Sequence, residues 1–317
     1  MGDVTDLLEA MWFGDTDTPT MERAAARSRA AAVAERGLKP FPASVARVAA
    51  VVQRAGSSAH DIEDVLKTDP VLASRVLAIA NSSQFGAAAQ LQSLRDAVVR
   101  LGAGTVYEMV VEVALQQAYA DLGGRGHAII EHSASTARCI RMLTLVHPTS
   151  HRFFYLAALL HDVGKLLLLQ SGERTQCTGH GDGSASEERA ELGFDHGLLG
   201  AVAARSWGLP SPIPEVIGHH HELSRAFDLG GPVADGVASL RVAQDLLSLL
   251  DEQDERVVRQ TTNQTAWQWL RLDHLDARDL IDLWNERDQV QDNIDWKQKI
   301  RDARKRHSRR TRHAFAS

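Results

Sequence analysis

A chain of 317 residues can form one large or two small domains, and its 44% hydrophobic and 24% charged residues exclude a disordered or fibrous polymer. Two cysteines, Cys139 and Cys177, exclude a disulfide scaffold and a thiolate zinc cluster, and the lack of a basic segment before an apolar N-terminal run points to a reducing cytoplasm. The net charge of −6 is unevenly spread: Lys297 to Ser317 hold nine Lys or Arg against Asp302 alone, whereas residues 1–296 hold 26 bases and 40 acids. An acidic body argues against a nucleic-acid-binding fold and leaves only weak contacts of the basic tail with polyanions.

Apolar residues recur at helical spacing through almost every long segment, and strand-like alternation is hard to find, which predicts an all-α chain. Asp69-Pro70 supplies an N-cap and a proline at the first helical position for a helix over 71–80, closed by Asn81-Ser82-Ser83. Leu94, Ala97, Val98 and Leu101 fall at i, i+3, i+4 and i+7 of a second helix that Gly102 stops. The run Gly123-Gly124-Arg125-Gly126 predicts a boundary between a helical half over about 41–120 and another starting near His127. The apolar runs Leu156 to Leu160 and Leu166 to Leu169 fall short of the roughly 18–20 residues that span a bilayer, so no membrane span is expected. Ser171 to Ser186, polar and Gly-rich, reads as a flexible surface loop, and Pro210, Pro212 and Pro214 place a turn before a helix over Glu215 to Glu222. Beyond Leu250 a charged segment with Trp267, Trp269, Trp284 and Trp296 reads as a C-terminal helical extension.

The chemistry is concentrated in 14 histidines. A lone histidine is most often a satisfied core or surface residue, and His60, His127, His147, His151, His274, His307 and His313 need no function. His161-Asp162 differs, because two costly polar side chains follow the apolar run Leu156 to Leu160. With His132, His196, His219-His220-His221 and Asp245 they form a plausible imidazole and carboxylate ligand set for divalent metals.

His161-Asp162-Val163-Gly164-Lys165 resembles the HD-x-G-K signature of the HD superfamily of metal-dependent phosphohydrolases. Phe41-Pro42, Asp69-Pro70-Val71-Leu72, Asn81-Ser82-Ser83-Gln84-Phe85-Gly86, Ala97 to Gly102, Phe194 to Gly200, Trp207-Gly208-Leu209-Pro210 and Ile217 to His221 narrow the resemblance to the HDOD family of bacterial signalling proteins. It covers about residues 38–250 and implies a helical bundle of two packed halves, a regulatory half over 38–122 and an HD-like metal half over 127–250, flanked by helical extensions over 1–37 and 251–317. Many HDOD proteins lack metal ligands. Here, comparison with the related HD-GYP type implies that His132, His161, Asp162, His196, His220, His221 and Asp245 hold two divalent ions (Fe, Mn, Zn, Ni or Mg), with Lys165 facing phosphate. His219 is either a spare or a substitute for His221. Ala128, where some relatives carry a glutamate for a third metal, favours two ions. No Gly-Tyr-Pro follows Glu222, so activity on cyclic di-GMP does not carry over.

Adjacent helical residues point about 100° apart, so His161 and Asp162 do not simply chelate one ion side by side, and a bridging Asp162 between two ions satisfies both directions. Asp162 and Lys165 are accordingly the expected catalytic residues. Two readings follow: hydrolysis of a phosphoester or nucleotide, or a non-catalytic module in which metal ties helices together and output runs through signalling partners or a bound nucleotide. A basic-tail nucleic-acid binder is the weakest third reading.

Overall fold

The computed structural model describes residues 20–40, 43–54, 56–82, 90–146, 153–173, 182–251, 264–272 and 280–281. The readings of Phe41-Pro42, Ser83 to Gly86, Trp284, Trp296 and the basic tail lie outside these residues. The described chain is all-α, as expected, with no strand among the described residues. Its helices are α1 Thr20–Gly37, α2 Ala43–Gln53, α3 Ala59–Leu66, α4 Pro70–Ala80, α5 Leu94–Leu101, α6 Ala103–Ala118, α7 Gly123–Val146 and α8 Phe153–Leu160. They continue with α9 Val163–Ser171, α10 Asp182–Leu192, α11 His196–Ser206, α12 Ile213–His219, α13 Leu223–Leu229, α14 Gly231–Asp251 and α15 Gln264–Trp269. The chain divides into two compact units, one of residues 1–40, 116–140 and 150–241, the other of 41–115, 141–149 and 242–317.

The second unit follows local sequence rules closely. Ser58 and Asp61 form a reciprocal capping box at α3. Asp69 accepts from Leu72 N at 3.0 Å ahead of Pro70, and Gly102 closes α5 in a positive-φ conformation. Asn81 does more than end α4: its side-chain nitrogen donates to Leu77 O and Leu91 O, and its oxygen accepts from Leu91 N at 2.7 Å, which ties the following segment back to the helix. These short helices pack α3 against α2, α4 and α5.

In the first unit α8, Phe-Phe-Tyr-Leu-Ala-Ala-Leu-Leu, is buried from Phe154 through Leu160, as an all-apolar helix must be. α9 packs against α1 and α11, and α12 against α8 and α11. α1 buries Ala30, Val33 and Ala34, and a Cβ on its Gly37 would lie 2.5 Å from Leu167 O, so small residues let the α1 and α9 backbones touch. Among the described residues, Phe153–Ser171 is the stretch long and apolar enough to cross a membrane, yet 83% of it is buried inside the protein. It consists of α8 and α9 joined by a turn, which the separate apolar runs did not reveal.

Two local expectations are corrected. The glycine run stands where a helix begins, with Gly123 at φ 62°, but α7 starts at that glycine rather than near His127 and continues to Val146. The polar segment read as a loop through Ser186 is helical from Asp182, and α10 buries Ser184, Ala185, Glu188 and Leu192 along one stripe.

Candidate metal centre

The site is built where α8 meets α9. The apolar run ends at Leu160, and His161 and Asp162 form the two-residue turn before α9, 0% and 1% exposed. They therefore do not lie 100° apart on one helix; Asp162 stands at the N-cap of α9, with φ −98° and ψ 9°. His161 Nδ1 donates to Ala158 O at 2.7 Å, which leaves its Nε2 lone pair facing the site, 3.5 Å from Asp162 Oδ2. Lys165, in the first turn of α9 and buried, donates from Nζ to Asp162 Oδ2 at 3.0 Å.

α11 begins at His196. Asp195 caps the helix by accepting from Leu198 N at 3.0 Å and is paired with Arg189. Glu188 Oε2 on α10 accepts from both His196 N and His196 Nδ1 at 2.7 Å each. A Cβ on Gly164 would run into His196 O, so the glycine of the HD-x-G-K signature is what lets α9 and α11 approach. At the end of α12, His220 Nδ1 donates to Ile217 O at 2.6 Å.

The remaining ring nitrogens converge. His196 Nε2 lies 3.2 Å from Asp162 Oδ1, 3.3 Å from His220 Nε2 and 2.9 Å from His221 Nε2, and His220 Nε2 lies 3.9 Å from Asp162 Oδ1. Asp162 Oδ1 is buried without a hydrogen bond. The rings of His132, on α7, and His161 are 5.4 Å apart. Two groups of donor atoms result, Asp162 with His196, His220 and His221, and Asp162 with His132 and His161; within each group the atoms lie within 4.8 Å of one another.

Electrostatics favour a cation here. Burial lowers His161 to about 4, against the pull of Asp162, and holds His220 well below the ordinary histidine range. Asp162 also sits well below its ordinary value: burial works against its charge, but His161, Lys165 and His196 outweigh it. Burial and the Lys165 charge oppose charging His196, but the carboxylates of Asp162 and Glu188 beside it outweigh them and raise it to about 9. Lone pairs converging on an ionised carboxylate oxygen without a hydrogen bond repel one another unless a cation or proton lies among them. The donors fit a divalent metal of borderline hardness.

The structure thus groups His132, His161, Asp162, His196, His220 and His221, with Lys165 beside them. His219 is buried with its Nδ1 4.0 Å from Glu222 Oε2 and belongs to neither donor group. Asp245 belongs to the second unit, where its Oδ2 accepts from Trp267 Nε1 at 2.9 Å; both donor groups are formed without it. Glu188 escaped the sequence reading. Its signal was an acid at the i+3 place of an Ala185, Glu188, Leu192 stripe, concealed by the polar composition around it.

A model of the HDOD domain matches residues 38–223, more than half of the chain. The chain belongs to the HDOD family. Among solved structures this HDOD chain is similar to an HDOD domain protein from Geobacter sulfurreducens, with TM-score 0.59 and 22% identity over 87% of this chain and 93% of that one. A Shewanella amazonensis protein provisionally named a metal-dependent phosphohydrolase gives TM-score 0.57 and 18% identity, covering 90% of this chain and all of that one. A Marinobacter aquaeolei protein provisionally named a signal transduction protein gives TM-score 0.57 and 21% identity over 94% of this chain and 68% of that one. At these identities the neighbours show the HDOD fold alone. A search of curated proteins gives no match.

Proposed function

We propose that this HDOD protein is a metal-dependent phosphohydrolase of the bacterial cytoplasm acting on a phosphoester or nucleotide in a signalling pathway. The observation that carries the reading is the convergence of three imidazole Nε2 atoms on the bond-free Oδ1 of Asp162, with Lys165 on the other oxygen. His196, His220 and His221 would hold one divalent ion and His132 and His161 a second, with Asp162 shared between them. Bound there, such ions supply Lewis acidity toward a phosphoryl group and acidify water toward neutrality.

The chain's own residues supply the setting. Ala158 O and Ile217 O hold His161 and His220 with their Nε2 atoms aimed inward. Lys165 keeps Asp162 oriented and brings a positive point charge to the place where phosphoryl charge develops. The division into a regulatory half over 38–122 and a metal half over 127–250, and a ligand role for Asp245, belong to the same proposal.

One observation favours the second reading, a module whose metal ties helices together and whose output runs through signalling partners. His161, Asp162, His196 and His220 are all at most 1% exposed, and only His132 and His221 of the group reach partial exposure. Metal-loaded protein assayed on a panel of phosphoesters and nucleotides separates the two. Metal-dependent turnover, lowered at least tenfold in Lys165→Ala with both ions retained, supports the hydrolase, since each 1.36 kcal/mol of lost transition-state contact is about tenfold. No turnover, together with a large metal-dependent rise in melting temperature, supports the module.

A further inference from the structure

Glu188 is fully buried, and among the described residues its side chain meets only Ser184 Oγ, at 3.5 Å, and His196, through N and Nδ1. No Lys or Arg among the described residues forms an ion pair with it. Arg189, the next residue, turns to Asp195 and Glu222 instead. A buried carboxylate is costly, and its burial persists only where a partner repays it, here, among the described residues, His196 alone. Asp195 caps α11 at Leu198 N, and Glu188 accepts from a different first-turn group, His196 N, so capping accounts for only one of its two bonds to His196.

What distinguishes Glu188 from a cap is its second bond. One carboxylate oxygen grips both the backbone N–H and the ring Nδ1–H of His196. The bond at Nδ1 makes Nε2 the ring's free donor and raises its basicity; the bond at N fixes where the ring stands. Nε2 is the atom that lies 3.2 Å from Asp162 Oδ1 and 2.9 Å from His221 Nε2. His161 and His220 are held by neutral backbone carbonyls, so His196 is the one imidazole of these three backed by a charge. Carboxylate-backed histidine is a recurrent means of strengthening a metal ligand, and loss of the backing group typically costs about 10–100-fold in metal affinity.

We propose that Glu188 is a positioning residue that locks His196 and makes it a carboxylate-backed imidazole donor, stronger than the carbonyl-backed His161 and His220. This rests on the reading of the site as a metal centre and does not require that the centre hydrolyse anything. The test compares full-length wild type, Glu188→Gln, Glu188→Ala and Asp195→Ala. Zn²⁺ affinity is measured by competition with a chromophoric chelator, folding by the melting temperature of the metal-free proteins, and ligand geometry by the visible spectrum of the Co²⁺-loaded forms. Glu188→Gln keeps an acceptor and loses the charge. It is expected to fold, to weaken Zn²⁺ binding by about 10–100-fold and to shift the Co²⁺ spectrum, with Glu188→Ala weaker still. Asp195→Ala, which removes the cap on Leu198 N and the Arg189 pair but no bond to a donor ring, is expected to lower the melting temperature while Zn²⁺ affinity stays within about threefold. Zn²⁺ binding by Glu188→Gln equal to wild type, or loss of affinity in Asp195→Ala as large as in Glu188→Gln, overturns the positioning role while the metal centre stands. A wild type that takes up no Zn²⁺ or Co²⁺ overturns the metal centre and this inference with it.

Discussion

Asp162 is the one residue common to both donor groups, so its loss should cost more than the loss of any single imidazole. Asp162→Ala is expected to abolish uptake of both ions by elemental analysis, whereas His60→Ala, which removes an exposed ring beside Glu63 and Asp64, leaves uptake unchanged. Equal metal content in the two variants would contradict a shared aspartate. The buried imidazoles also set a pH dependence for the metal-free protein. Burial lowers His161 and His219 from 6.5 to about 4, the latter with help from Arg225, so the unfolded chain binds the extra proton first; their contribution to stability is complete above about pH 6.5 and is lost as pH falls toward 4. His196 has the opposite sign. Burial and Lys165 oppose its charge, but Asp162 and Glu188 raise it to about 9, so its contribution is complete below about pH 6.5 and is lost as pH rises through 9. The melting temperature of the chelator-treated protein should therefore peak near pH 6.5 and fall on both sides, and a melting curve that climbs steadily from pH 4 to 9 would refute the assignment.

At the scale of elements, the site depends on how closely α9 and α11 cross. Gly164 has no room for a Cβ against His196 O, and the segment it would displace carries His196 itself. Gly164→Ala should cost about 3 kcal/mol by urea denaturation, the upper end of ordinary overpacking, and should weaken metal binding along with folding. The contrast is Glu173, whose contacts to Arg29 and Arg36 join α1 to the residues just after α9 at 3.2 and 3.3 Å but involve arginines 44% and 54% exposed. Solvent screens such pairs, so Glu173→Gln should cost less than about 1 kcal/mol. α1 is held instead by apolar and backbone contacts, Ala30, Val33, Ala34 and Gly37 against its neighbours.

At the scale of the molecule, ligands drawn from α7, the α8–α9 turn, α11 and the residues after α12 make metal binding part of folding free energy. A divalent ion at 100 times its Kd should stabilise the chain by about 2.7 kcal/mol per site, read as a rise in melting temperature that a chelator reverses. The lack of such a rise in wild type would remove the metal from either functional reading. The basic segment Lys297 to Ser317 belongs to the same scale, because the remaining residues carry a net negative charge. Its deletion should abolish retention on heparin at low salt, and unchanged retention would make the tail irrelevant to polyanion binding.

How much of this was legible beforehand differs by the range of the interaction. Helix identity, the caps at Asp69 and Gly102, the HDOD family and the candidacy of His132, His161, Asp162, Lys165, His196, His220 and His221 were all readable from the chain, since each rests on local chemistry or on a motif contiguous in sequence. The glycine run marked the start of α7, where Gly123 takes a positive φ, but concealed that Gly124 to Gly126 are already helical, because glycine is a poor helix former. Asp162 was read as a helical residue because an apolar run on either side conceals a two-residue turn. The choice of His220 and His221 over His219 depends on which rings face Asp162 where α12 ends, and Glu188 acquires meaning only beside His196, eight residues on and one helix away. The sequence by itself determined the residue types and the helices that carry them; only the tertiary structure decided which nitrogen of each ring points inward, because that choice is made by the acceptor behind the ring, at Ala158, Glu188 or Ile217, in its folded place.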